Sequence, residues 1–395
     1  MLVGGSALIT LAYIAGLAAA TRAFGGSARF AAIGAGISVP LPSQRRLGRQ
    51  AGSAPGGRAR RRTHRHRHRL GRGGAGRIGA WTVSGHHDSV LTDEVISGWC
   101  RGTLGATFGR VLFRRQHLSE VVAVQLADGR QVVVKARPFE DRLAGCVAVE
   151  AALAKAGFPC PGPIGEPMRI GGHLVTAETL IPGGDLLSPA CGSGPFAILL
   201  AQLIHAAPGV KSVPSLSPAP PWTGWDHPGT RLWPDRDDRG QDLNQANGPH
   251  WVDDAAQQVR QRMRSYHAPA RIGHGDWESQ NIRWRGGQPL AVHDWDSVIA
   301  QPEEAIVGLA AAVWPAAGGP GEAASVAQTE ELISAYQMAA GATWSGRQVQ
   351  VAWTAGLWVR LFNAKKDAAD GGGAQLDRLA SEITERLSRA RLRPG

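Results

Sequence analysis

The chain has 395 residues, 43% of them hydrophobic, and a formal net charge of +11; it is long enough for two or three domains and too apolar for a wholly disordered or fibrous protein. Such a charge would suit a nucleic-acid or membrane partner, but it is confined to one end. Residues 1–80 hold 14 Arg and no Asp, Glu or Lys, leaving 29 basic against 32 acidic side chains in the rest, so neither nucleic-acid binding nor membrane contact is expected of the body.

Within the leader, Arg58 to Arg77 interleaves Arg with His64, His66, His68 and several Gly. That composition cannot bury a core, so residues 1–80 are expected to form a disordered extension without catalytic groups. Met1 to Ala20 is uncharged and largely apolar but has no basic flank before it. An N-terminal anchor is therefore the lesser alternative, and a cytoplasmic location is expected. The four cysteines, Cys100, Cys146, Cys160 and Cys191, have no metal-ligand spacing and read as reduced thiols.

Beyond Trp81 the pattern becomes regular. Val121–Leu126 and Arg130–Ala136 are β-rich runs joined by Asp128-Gly129, a dipeptide suited to a tight hairpin turn. Lys135 ends Val132-Val133-Val134, three β-branched residues that imply a strand apolar on both faces. The next segment, Asp141–Ala156, places Leu143, Cys146, Val147, Glu150 and Ala154 on one helical stripe. A lysine and a glutamate thus occupy apolar positions and are expected to pair, since each unpaired charge would be costly.

Gly172–Ile181 reads as another strand, and Pro182-Gly183-Gly184 marks a boundary between one unit at 81–181 and another at 182–395. Phe196–Ala206 is a short apolar helix. Pro208 to about Gly248 lacks periodicity and is too long for a simple connection, which leaves a functional insertion or a mobile loop. The acidic residues that cluster before the catalytic motif, among them Asp235, Asp238, Asp242 and Asp253, could attract a cationic substrate or form ordinary solvated surface. An amphipathic helix follows at Val252–Tyr266, and helical patterns fill most of Pro302–Leu392.

The most informative stretch is Gly273-His274-Gly275-Asp276-Trp277-Glu278-Ser279-Gln280-Asn281, followed after two short strand patterns by His293-Asp294-Trp295-Asp296. Phosphoryl transfer needs a carboxylate to orient an attacking hydroxyl and oxygen ligands to hold Mg²⁺ against phosphates. One loop with Asp and Asn, and another Asp after the next strand, supply those groups. Singly, such residues cap helices and turns; the combined spacing is what points to chemistry.

His274-Gly-Asp276 with Asn281 resembles the HGDxxxxN catalytic loop of the aminoglycoside phosphotransferase family, and Asp294-Trp-Asp296 resembles its magnesium-binding segment. The resemblance spans about Gly109 to Phe362. It implies an α+β, two-lobed protein-kinase-like fold, with a small β-rich N-lobe at 81–181 and a larger helical C-lobe at 182–395. It also implies an ATP-dependent, Mg²⁺-requiring phosphotransferase with a small-molecule hydroxyl acceptor. In that reading Asp276 is the catalytic base and His274 organises its loop. Asn281, Asp294 and, more weakly, Asp296 hold the metal. Lys135, positioned by Glu150, holds the nucleotide phosphates, and the backbone of Glu178 to Leu180 holds adenine.

The first hairpin loop, Arg114 to Ser119, has no glycine, which leaves Ser119 and nearby backbone as the phosphate contacts. That departure keeps open a non-catalytic nucleotide-binding regulator of the same fold. A protein kinase is the other alternative, although Gly275 stands where protein kinases carry an Arg before the catalytic Asp.

Overall fold

The computed structural model describes residues 89–393 except 117, 237, 239, 320 and 321, so the Arg-rich leader lies outside the described residues. Helix α1 (Asp93–Leu104) begins at Thr92, whose Oγ1 accepts the Val95 N–H at 3.3 Å. Five antiparallel strands follow: β1 (Phe108–Gln116), β2 (Glu120–Leu126), β3 (Gln131–Pro138), β4 (Met168–Ile170) and β5 (His173–Thr179), in the sheet order β1-β2-β3-β5-β4. Helix α2 (Arg142–Lys155) connects β3 towards β4. Asp128-Gly129 turns β2 into β3, with Gly129 at a φ of 89°.

Alternation along the strands gives this sheet two apolar faces. Val132, Val134 and Ala136 join Val122, Val124, Val175 and Ala177 in an outer core closed by Ile96, Trp99, Cys100 and Leu104 of α1. On the inner face Val121, Ala123 and Val133 meet Phe113 and Leu180 in a smaller cluster. Lys135 shares the face of Val133. Its place directly after the doubly buried run Val132-Val133-Val134, in the middle of β3, fits its sequence context.

The second lobe is mostly helical: α3 (Gly194–Ala206), α4 (His250–Arg264), α5 (Glu303–Val313), α6 (Val326–Ala340), α7 (Gly346–Ala369) and α8 (Ala374–Arg389). Two strand pairs, β6 (Ala270–His274) with β9 (Val298–Pro302) and β7 (Ile282–Arg285) with β8 (Gln288–Val292), carry the loops of interest. Capping boxes start α6 at Ser325/Gln328 and α7 at Ser345/Gln348. No helix among the described residues is long and apolar enough to cross a membrane.

Helices α5 and α7 approach so closely that glycine is required at their crossing. A Cβ on Gly308 would lie 1.9 Å from Ala352 O, and one on Gly356 2.6 Å from Gly308 O. The obstacle is helix backbone, which cannot swing aside. Gly308→Ala should therefore cost about 3 kcal/mol or more in a denaturant titration, the upper range for overpacking. Gly346→Ala, with nothing within 4 Å, should stay within about 0.5 kcal/mol of wild type.

The unpatterned stretch 208–248 is an ordered insertion rather than a loose loop. Arg260 of α4 is buried and donates to the carbonyls of Trp225, His227, Gly229 and Arg231 at 2.8–3.1 Å. Trp225, Trp233 and Leu243 pack into the main core. The acidic side chains here and at the start of α4 are largely spent internally: Asp238 pairs with Arg236 and Lys366, Asp242 with Arg231, and Asp253 of α4 with Lys365. That pairing removes the expectation of an acidic patch free to attract a cation at these three positions.

Candidate active site

The antiparallel pairing of β6 with β9 sets His274 opposite Val298, so the loop after β6 lies beside the loop before β9. Gly275 joins them: its N–H donates to Ser297 O at 2.7 Å, and its carbonyl accepts from Trp222 Nε1 at 2.9 Å. A Cβ at Gly275 would sit 3.0 Å from Ile299 Cγ2, 3.1 Å from Ser297 O and 3.2 Å from Thr223 Cγ2. This crowding explains why the smallest residue precedes Asp276.

His274 is fully buried, with Trp277 and Trp295 edge-on to its ring at centroid distances of 5.9 and 5.6 Å. Its Nδ1 accepts the Asp276 N–H at 3.2 Å, so Nε2 carries the proton donated to His293 O at 3.1 Å. Burial pushes the imidazole pKa down, outweighing Asp294 and the hydrogen bonds that pull it up, and keeps the ring neutral. The side chain of Asp276 is nearly buried. Asn281 Nδ2 donates to both its backbone O and its Oδ2, each at 2.9 Å. The carboxylate is therefore held in one orientation by the amide five residues on.

Asp294 is half-buried and takes a left-handed conformation, φ 67° and ψ 46°, which Asp and Asn adopt more readily than other side-chain-bearing residues. Asp296, two residues on, does not stand free beside it. Its carboxylate pairs through Oδ2 with Arg137 of β3, an ion pair to the other lobe, while its Oδ1 is buried without a hydrogen-bond partner.

The oxygen groups remaining suit a hard divalent cation. With Asn281 Nδ2 committed to Asp276, its Oδ1 is the amide atom able to ligate. Burial and then Asp276 push Glu278 well above the carboxylate range, Asp294 and Glu322 adding to it against the Gln280 hydrogen bond. A cation would relieve that crowding of negative charge. Among the described residues no three His, Cys, Asp or Glu side chains form a closed metal cage. One carboxylate and one amide completed by phosphate oxygens is the arrangement Mg²⁺ commonly accepts.

Across the cleft, Lys135 Nζ lies 2.8 Å from Glu178 Oε2, and the expected pairing with Glu150 is not the direct one. The register explains this. Lys135 faces Thr176 on β5, and Glu178 is the diagonal neighbour two residues along on the same face, within reach of a long side chain. Glu150 is buried on α2 with Oε1 unpartnered, and it acts on Lys135 through its charge. Burial opposes the lysine's charge, but Glu178, Glu150 and the hydrogen bond outweigh it, with Asp294 adding to them, and hold Lys135 above its ordinary range. Burial, then Glu178, push Glu150 upward against Lys135.

The expected adenine-binding backbone is also partly spent. Thr179 N–H donates to Gly162 O at 3.0 Å and Leu180 N–H to Gln131 O at 3.1 Å. Glu178 contributes its side chain to Lys135, and Leu180 contributes an apolar wall to the inner face of the sheet. Ser119 lies in the turn between β1 and β2 and is 6% exposed. A cavity of about 50 Å³ opens beside Lys135, lined by Glu150, Thr176, Glu178, Trp295 and Asp296 among others.

The sequence profile of the phosphotransferase enzyme family matches residues 111–348, more than half of the chain. The chain belongs to the phosphotransferase enzyme family. No curated protein matches its sequence. Among solved structures it is similar to an amicoumacin kinase in complex with AMP-PNP, Ca²⁺ and Ami, at 11% identity over 76% of this chain and 94% of that one, with a TM-score of 0.53. It is also similar to a spectinomycin phosphotransferase in complex with ADP and spectinomycin, at 11% identity over 76% and 94%, TM-score 0.46. A choline/ethanolamine kinase family protein from Mesorhizobium loti matches at 16% identity over 75% and 93%, TM-score 0.41. The likeness to the amicoumacin kinase shows the two-lobed kinase-like fold.

In this phosphotransferase three groups near the site escape sequence reasoning. Glu278 stands inside the catalytic motif, where its charge could have drawn attention. Trp222 comes from the insertion and reaches Gly275 across 53 residues, a contact that no local pattern encodes. Arg142 looks like a solvated residue at a helix start but is only 4% exposed.

Proposed function

We propose that this phosphotransferase moves the γ-phosphate of ATP to a hydroxyl of a small molecule. The observation that carries the proposal is the Asp276 carboxylate, pinned by Asn281 Nδ2 at 2.9 Å beside the loop that presents Asp294. Asp276 orients the acceptor hydroxyl and takes its proton as the new O–P bond forms and the γ-phosphorus bond to the departing ADP breaks, a role the amide of Asn281 cannot fill. Asn281 Oδ1 and Asp294 would hold Mg²⁺, which would supply positive charge against the phosphates.

Lys135 serves the phosphates from the other lobe, and the apolar inner face around Val121, Ala123, Val133 and Leu180 is chemically suited to a flat base. The nucleotide analogue and divalent cation in the amicoumacin kinase complex support a nucleotide and a divalent metal as cofactors. Gly275, in place of a basic residue before Asp276, favours a small acceptor over a protein.

A screen of purified protein with ATP and Mg²⁺ across aminoglycosides, other hydroxylated antibiotics, amino alcohols and sugars tests the proposal. An acceptor gaining one phosphoryl group by mass spectrometry is the expected result. Binding of Mg²⁺-ATP with no turnover on any acceptor class would favour a nucleotide-binding regulator instead.

A further inference from the structure

Arg142 opens α2 in an unfavourable place for a cation, because the helix N-terminus carries partial positive charge and the first turn of α2 has no acidic residue. Almost fully buried there, it needs acceptors, and it finds them in the other lobe. Its Nη1 donates to Asp296 O and its Nη2 to Val298 O, each at 2.6 Å, across 154 and 156 residues of sequence. Arg137 of β3 adds the ion pair to the Asp296 carboxylate, and Cys146 Sγ approaches the same Asp296 carbonyl at 3.8 Å.

The carbonyl between the two that Arg142 holds, that of Ser297, accepts from Gly275 N–H on the catalytic loop. Three successive carbonyls are thus gripped alternately by the nucleotide lobe and by the residue next to Asp276. This is the segment that directly follows Asp294 and its left-handed turn.

Resting on the phosphotransferase reading above, we infer that Arg142, assisted by Arg137, is a positioning residue that sets the Asp294 loop from the N-lobe. Helix α2, which also carries Glu150, and the loop that presents Asp294 then move as one unit. A guanidinium can straddle two carbonyls where an ammonium cannot, so Arg142→Lys should retain part of the function and Arg142→Met none of it.

The test combines hydrogen–deuterium exchange of peptides covering residues 292–299 with calorimetric titration of ATP in Mg²⁺ and in EDTA. Arg142→Met should speed exchange in that segment and reduce the metal-dependent gain in ATP affinity by about 10- to 100-fold, the usual loss when a metal ligand's supporting contact is removed. ATP affinity in EDTA should change little, and Arg142→Lys should fall between. If Arg142→Met does not fold, Arg137→Gln, at a half-buried position, should show the same pattern in smaller degree. Unchanged exchange, or an intact metal-dependent gain despite faster exchange, overturns the inference. Wild-type protein showing no Mg²⁺-ATP binding would overturn the phosphotransferase reading, and this inference with it.

Discussion

Asp276→Asn should lower turnover by about 100- to 10,000-fold, the usual contribution of a general base, while Mg²⁺-ATP affinity stays within about twofold of wild type. The substitution is close to isosteric. The new amide oxygen can still accept from Asn281 Nδ2, so the loop pinned by that hydrogen bond and by His274 keeps its shape. What disappears is the capacity to accept a proton from the acceptor hydroxyl. Steady-state kinetics with an acceptor identified by the screen, together with calorimetry on the nucleotide, separate the two quantities. Full activity in this variant would remove Asp276 from the role of base.

Asp294→Asn should fail differently. Asparagine tolerates the left-handed conformation of this residue, so the backbone at φ 67° is preserved and the experiment isolates the lost negative charge. Metal-dependent nucleotide affinity should fall by about 10- to 100-fold together with turnover, and raising Mg²⁺ should recover part of both. Asp294→Ala should add a stability loss of about 1 kcal/mol, because alanine has no side-chain compensation for that backbone conformation. A rise in the Mg²⁺ requirement in Asp294→Asn but not in Asp276→Asn is the decisive contrast. Equal behaviour of the two variants would mean that the loops do not divide the work as argued.

Much of this arrangement is readable from local sequence because local chemistry dictates it. The Asp128-Gly129 hairpin, the doubly apolar run before Lys135 and the spacing of Asp276, Asn281 and Asp294 all lie within short stretches. The pairing of Lys135 lay beyond that reach. Its partner depends on how β5 registers against β3, with α2 and β4 between them in sequence, and that register favours Glu178 over Glu150. The ion pair of Asp296 was out of reach for a related reason, since its partner Arg137 comes from the other lobe.

Buried arginines account for the remaining surprises. No side-chain pattern marks Arg142 or Arg260 as buried, yet they hold the segment after Asp294 and the 208–248 insertion through backbone carbonyls. Carbonyls leave no mark on side-chain patterns. The insertion itself looked aperiodic because its order comes from such bonds and from Trp225 and Trp233, not from a regular element.

The central claim, phosphoryl transfer from ATP to a small hydroxylated acceptor, is tested most directly by following the γ-phosphate itself. With γ-labelled ATP, Mg²⁺ and an acceptor from the screen, label should appear on the acceptor in a one-to-one ratio with ADP and depend on the Asp276 carboxylate. Label released only as inorganic phosphate, retained on the protein, or left on intact ATP with every acceptor would contradict it.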